Sequence, residues 1–291
     1  MLLVFDFCKK IVNFAIVLDE IICKIIKIRA LKKAKDPILS EIPPEHEDYS
    51  MLVHKPINQL MALIPLLVFY HMGTLIVKDG LAVPHSLGII VRCFGGSSKF
   101  LIGFFVVIVL LAQQMVRKEN STISFWGLLA IVIEGAVLTL PVIVISWLVG
   151  SRWMIPSAVE NAGGIAESEV FRGILISVGA GIYEEFVFRL VLISGGSLLL
   201  MDVFGIDKHK SGVILIIISA ITFSACHFPM SHLTNLQVLD TYRFFFYALA
   251  GAWWGILYIW RGFGVAVYSH MYWDLICAYH AANFAVEAAA A

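Results

Sequence analysis

Charge is what this chain most lacks. Only 14% of its 291 residues are Asp, Glu, Lys or Arg, and 60% are hydrophobic. Soluble domains carry about 25% charged and roughly 45–50% apolar residues. With a mean hydropathy of +0.88, a water-soluble fold is excluded and the bilayer is the solvent. Strict alternation of apolar and polar residues is also missing, which excludes a transmembrane barrel. The apolar runs are continuous, so the spans are helices. The five cysteines, Cys8, Cys23, Cys93, Cys226 and Cys277, are odd in number and form no CxxC. They offer neither a disulfide framework nor a structural zinc site. No basic folded module is visible, so nucleic acid is not a partner. No internal repeat supports an inverted-repeat transporter.

What is present begins with a basic N-terminal segment. Residues 1–56 hold nine of the 21 Lys and Arg residues, which suits an anionic cytoplasmic leaflet or simply sets topology. The first 30 residues mix apolar side chains with Asp6, Lys9, Lys10, Asp19, Glu20, Lys24 and Lys27. That pattern predicts an amphipathic helix at the membrane surface rather than a secretory signal. Residues 32–56 form a polar, Pro-containing linker. Seven spans come next, at 57–77, 100–116, 125–149, 173–201, 213–229, 243–260 and 263–286, each near the length of a bilayer crossing. An eighth, re-entrant piece could lie in 79–99 or 150–172. With the N-terminus cytoplasmic, fourteen Lys and Arg residues fall inside and six outside, the bias expected of that orientation, and the cell (inner) membrane is the expected location. The fold class is therefore all-α, a polytopic bundle of seven or eight helices around an intramembrane cavity. The chain reads as a cytoplasmic segment (1–56), three first spans (57–169) and a core (170–286).

Ionisable groups inside a span are costly, so they face an interior and pair there. The fourth span reads AGIYEEFVFRLVL. Glu185 and Arg189 are four apart and share a face, so they can form an ion pair. Glu184 is rotated by roughly 100° from Glu185 and points elsewhere. One carboxylate is neutralised structurally while the other stays available as a general base. The fifth span ends ITFSACHFP, with His227 near its end and Pro229 closing it. The seventh reads VYSHMYWDLICAYH. There His270 and Asp274 share a face, and the pairing predicted between them fixes the imidazole tautomer and frees the other ring nitrogen. His280 reads as peripheral. Glu134, in the third span, has no local partner and either lines the cavity or sits near a helix end. Alone, each group reads as packing. Together, on three spans, they point to a functional site.

Glu184-Glu185-x-x-x-Arg189, then Phe223-x-x-x-His227, then His270-x-x-x-Asp274, in that order, resembles the three motifs of the CPBP family. These are CAAX proteases and bacteriocin-processing enzymes, also called the ABI or Rce1-like family of intramembrane glutamic proteases. The resemblance covers residues 170–285 and implies peptide-bond hydrolysis within the membrane. It implies that Glu184 is the general base for water, that His227 shares that water, and that Glu185 and Arg189 shape the site. His270 and Asp274 would position substrate and stabilise the oxyanion. Asp274 stands where many members carry an amide, and an ionised carboxylate cannot donate a hydrogen bond. The implied substrate is a membrane protein or peptide, with or without a lipid anchor. Two His and three carboxylates could bind a divalent ion such as zinc. No HExxH occurs and His46-Glu47 lacks a second His, so a metal-free site without cofactor is favoured. A non-catalytic membrane scaffold and a proton-coupled transporter remain the alternatives. The sequence does not fix an oligomeric state.

Overall fold

A computed structural model describes residues 49–77, 98–118, 121–149, 167–235 and 238–290. The predicted surface helix within 1–30 lies outside them, as does most of the loop expected at 79–99 and of the polar stretch expected at 150–170, whose last residues are already helical from Ser98 and from Glu167. The chain divides into two units, Met1–Met51 and Leu52–Ala291.

The helices of the second unit are α1 (Pro56–Ile76), α2 (Ser98–Arg117), α3 (Phe125–Val137), α4 (Leu140–Leu148) and α5 (Glu167–Glu185). From α5 the chain runs on as π-helical turns Phe186–Gly195, a short α stretch Gly196–Leu198 and a further π turn Leu199–Val203. Then come α6 (Lys208–Ala225), the short α7 (Met230–Leu233), α8 (Thr241–Arg261) and α9 (Phe263–Ala290). No strand occurs among the described residues. The segment expected to be linker through residue 56 is already helical at Tyr49–His54.

Four helical stretches are long and apolar enough to cross a membrane: Pro56–Ile76, Phe125–Leu148, Val170–Val203 and Lys208–Ala225. Ile102–Arg117 adds a shorter apolar one. Their outer faces carry side chains that water would not accommodate. On α6, Ile214, Ile217, Ile218 and Ile221 are exposed, a helical stripe one face wide. This is a membrane protein. α8 and α9, also expected as spans, are not among the four. α9 lies at the centre of the described helices. It packs against α5, α3, α8 and α1, and every residue from Arg261 to Met271 is buried.

The third expected span is two helices. The break falls at Leu138–Thr139, with Pro141 at the start of α4, where its missing N–H costs nothing. A backbone group freed inside a membrane needs a partner. Leu138 O accepts from Trp253 Nε1 (2.8 Å) and Ser269 Oγ (3.2 Å). Likewise, Ser219 on α6 donates to the carbonyl of Phe188 in the π-helical turns (2.9 Å).

Glu134 has a partner that its own helix does not offer. It forms a buried bidentate pair with Arg261, whose Nε reaches Oε2 at 2.7 Å and whose Nη2 binds Oε1. The pair ties α3 to the end of α8. There Gly262 takes φ 92°, a value that glycine adopts readily. Gln59 closes the turn by accepting from Phe263 N (3.0 Å) and donating to the carbonyls of Val53 and His54 (both 3.2 Å).

Gly181, one turn before Glu185, lets α5 and α9 meet. A Cβ there would stand 3.1 Å from Met271 Cβ, Met271 N and Val267 O. Two of those atoms are backbone and cannot yield cheaply. Gly181→Val is expected to lower stability by about 1–3 kcal/mol through overpacking, read as a lower midpoint of thermal unfolding in detergent. An unchanged midpoint would show that the helices can part freely.

Candidate active site

The site forms where the middle of α5 and its π-helical extension meets the end of α6 and the third turn of α9. Sequence reasoning puts Glu184 early in its span. It lies fourteen residues beyond Val170 in a helical stretch of 34 residues, so it is central. α6 has only 18 residues and reaches about 27 Å at 1.5 Å per residue. Its end lies alongside the middle of the longer helix, where His227 meets Glu184.

α6 stops earlier than expected, at Ala225, and His227 stands in the turn beyond it. Its amide bonds back to Ser224 O (3.0 Å) instead of Phe223 O. The Phe223 carbonyl is taken by the His227 ring, at 2.7 Å from Nδ1. A carbonyl can only accept, so Nδ1 carries the proton, and in the neutral ring Nε2 presents a lone pair. Nε2 faces Glu184, 3.8 Å from Oε2.

His270 repeats the arrangement from the other side. Its Nδ1 donates to Glu185 Oε1 at 2.8 Å, and its Nε2 is 3.8 Å from the same Glu184 Oε2. The tautomer-fixing partner of His270 is thus Glu185 on another helix, not Asp274 as the i, i+4 spacing suggested. Asp274 Oδ2 is 3.6 Å from Nε2, the opposite nitrogen.

Glu185 and Arg189 pair as expected, at 3.1 Å with both side chains fully buried. Arg189 Nη2 also donates to Gly251 O on α8 (3.0 Å), and its guanidinium lies 4.8 Å from the centre of the Phe223 ring. Glu185 is therefore held by a cation while holding an imidazole. Glu184 Oε2, with its two imidazoles at 3.8 Å, has the separation of groups that a small molecule bridges rather than of direct hydrogen bonds.

Sequence reasoning did not find the aromatic walls. Tyr247 stacks on His227 (4.1 Å, 21° between planes) and Trp254 on His270 (3.9 Å, 15°). Phe223 lies between them, 4.7 Å from the His227 ring and 5.8 Å from that of His270. Tyr247, Gly251 and Trp254 fall at i, i+4 and i+7 of α8, one helical face, and that periodicity is the signal the sequence offers. Trp254 Nε1 bonds Ser269 Oγ (3.3 Å), so its plane is fixed as well. His280, read as peripheral, meets the ring of Tyr279 edge-on.

The arrangement leaves three acceptors converging on one spot: Glu184 Oε2 and two Nε2 lone pairs. Among the described residues, no group of three or more His, Cys, Asp or Glu side chains is arranged so as to hold a metal ion. Residues 166–276 match the family described as Rce1-like, type II CAAX prenyl endopeptidase. This stretch resembles that family. The match takes in α6, α7 and α8 whole and α9 as far as Ile276, and it includes every residue of the three motifs. That family is described as one of CAAX prenyl endopeptidases. No curated protein and no solved structure matches the chain.

Proposed function

We propose that the protein is a glutamic intramembrane endopeptidase. One observation carries this reading: Glu184 Oε2 stands 3.8 Å from both His227 Nε2 and His270 Nε2, and each ring has its other nitrogen already engaged. Three acceptors around one point suit a ligand that donates twice, and water does. Glu184 takes one of its protons as the oxygen attacks the scissile carbonyl carbon. His227 orients the same water. Glu184 hands that proton to His270 Nε2, which donates to the developing oxyanion while Glu185 and Arg189 keep the ring in place. A positioned base contributes about 10²–10⁴-fold and an oxyanion donor about 10²–10³-fold.

The substrate is a membrane-embedded or lipid-anchored peptide, and the family's description as a prenyl endopeptidase favours a prenyl anchor. The N-terminal segment lies on the cytoplasmic side, in keeping with the distribution of basic residues. The reading is tested with purified protein in detergent and a prenylated peptide in H₂¹⁸O. Expected is one new amine and one new carboxylate carrying a single ¹⁸O. A burst of amine released ahead of the labelled carboxylate would point to attack by a protein group instead, and no cleavage would favour a scaffold. The same lone pairs are what a divalent cation would take. Dialysis against a chelator is expected to leave the rate unchanged, whereas loss reversed by zinc would replace the metal-free reading.

A further inference from the structure

Asp274 has a position that water activation does not use. Its Oδ2 is 3.6 Å from His270 Nε2, and Glu184 Oε2 is 3.8 Å from that same atom. One ring nitrogen thus stands between two carboxylates. The other nitrogen cannot take part, because Glu185 holds it at 2.8 Å. The two carboxylates also differ in access. The Asp274 side chain keeps 15% of its surface, against 3% for Glu184, so it lies toward the open side of the site. Arg189 is committed to Glu185, and the ion-pair contacts of Glu184 and Asp274 run to imidazoles.

An ionised carboxylate at this position cannot donate to an oxyanion and would repel it. A protonated one can give its proton away. One ring nitrogen within reach of two carboxylates can carry a proton from one to the other. Hydrolysis of an amide needs such a donor, because the departing nitrogen leaves poorly unless it is protonated as the C–N bond breaks.

We infer that Asp274 is the general acid of the reaction, protonating the departing amine and being reloaded from Glu184 across His270. The inference rests on the protease reading and adds the second half of the chemistry to it. Glu184 takes a proton from water as the water oxygen bonds to the carbonyl carbon and the π pair moves to the carbonyl oxygen. The tetrahedral intermediate then collapses. The oxygen pair re-forms C=O, the C–N pair leaves with nitrogen, and Asp274 supplies the proton that nitrogen takes. The proton that Glu184 took, held on His270 Nε2 while the oxyanion stood, passes on to Asp274. Both carboxyl groups regain their starting states, and water has been divided between the two products.

The experiment compares an amide with an ester. A phenolic leaving group departs without protonation, so a membrane peptide ending in a p-nitrophenyl ester bypasses the acid. Wild type, Asp274→Asn and Glu184→Gln are assayed on this ester and on the matching amide. Expected for Asp274→Asn is a fall in amide kcat of about 10²–10⁴-fold, little change in KM, and ester cleavage close to wild type. That surviving ester activity shows that the variant is folded. Glu184→Gln should lose both substrates. Equal loss of both in Asp274→Asn, or full retention of amide cleavage, would overturn the inference while leaving the base role of Glu184 standing. Wild-type protein that cleaves neither substrate would remove the protease reading and this inference with it.

Discussion

Glu184→Gln is expected to lower peptide cleavage by about 10²–10⁴-fold and to leave the protein folded. The amide keeps the shape and volume of the carboxyl group, and it still faces two imidazoles 3.8 Å away. What it loses is the ability to accept a proton from water. The buried cation of the site is not disturbed, because the direct ion pair of Arg189 is with Glu185. Circular dichroism and the unfolding midpoint in detergent check the fold, and single-turnover cleavage checks the rate. Substantial cleavage by a folded Glu184→Gln variant would rule this residue out as the base. Unfolding of the variant would make Glu184 a packing residue.

The second large effect is expected at Arg189. Its side chain and that of Glu185 are both fully buried and 3.1 Å apart. Removing one partner of such a pair costs about 3–5 kcal/mol, because an uncompensated charge is left behind. Arg189→Leu is therefore expected to unfold at a markedly lower temperature. Replacing both partners removes both charges, and buried pairs exchanged for apolar residues are often no less stable. This pair is a good case for that outcome. Among the described residues, Glu185 Oε2 and Arg189 Nε make no hydrogen bond, so part of the cost of burying them is not offset. The double variant Glu185→Leu/Arg189→Leu is expected to regain most of the lost stability and none of the activity, since nothing then holds His270 Nδ1. Unfolding midpoints for the two single variants and the double variant form a complete cycle. A double variant as unstable as Arg189→Leu would mean that packing, not charge, sets the cost. An active double variant would show that His270 does not need Glu185.

Much of the site is legible in the chain, and the misses share a cause. Spacing along one helix reports Glu185 with Arg189 correctly, because both partners lie on one face a turn apart. The same rule gives His270 to Asp274, when the shorter contact runs to Glu185, 85 residues away. It offers Glu134 no partner, when Arg261 is 127 residues away. A local rule cannot rank a neighbour on the same helix against one on another helix. Only the closeness of α5 and α9, which Gly181 permits, decides between them. The break at Leu138–Thr139 does have a signal, Pro141, but the apolar run across it is continuous enough to read as one crossing. Glu184 is placed too early when its helix is drawn from residue 173, because the helix begins at Glu167.

The early end of α6 has a consequence for the chemistry. Had the helix gone on for another turn, the carbonyl of Phe223 would have accepted from the amide of His227, as every interior carbonyl does from the residue four ahead. Instead that amide turns to Ser224, and the vacant acceptor seizes the imidazole. Which nitrogen of His227 looks toward the carboxylate is thereby decided by where a coil of backbone comes undone. Pro229 helps to enforce that point, since the residue before a proline avoids helical geometry. In this protein, the protonation pattern of a side chain is written in the length of a helix.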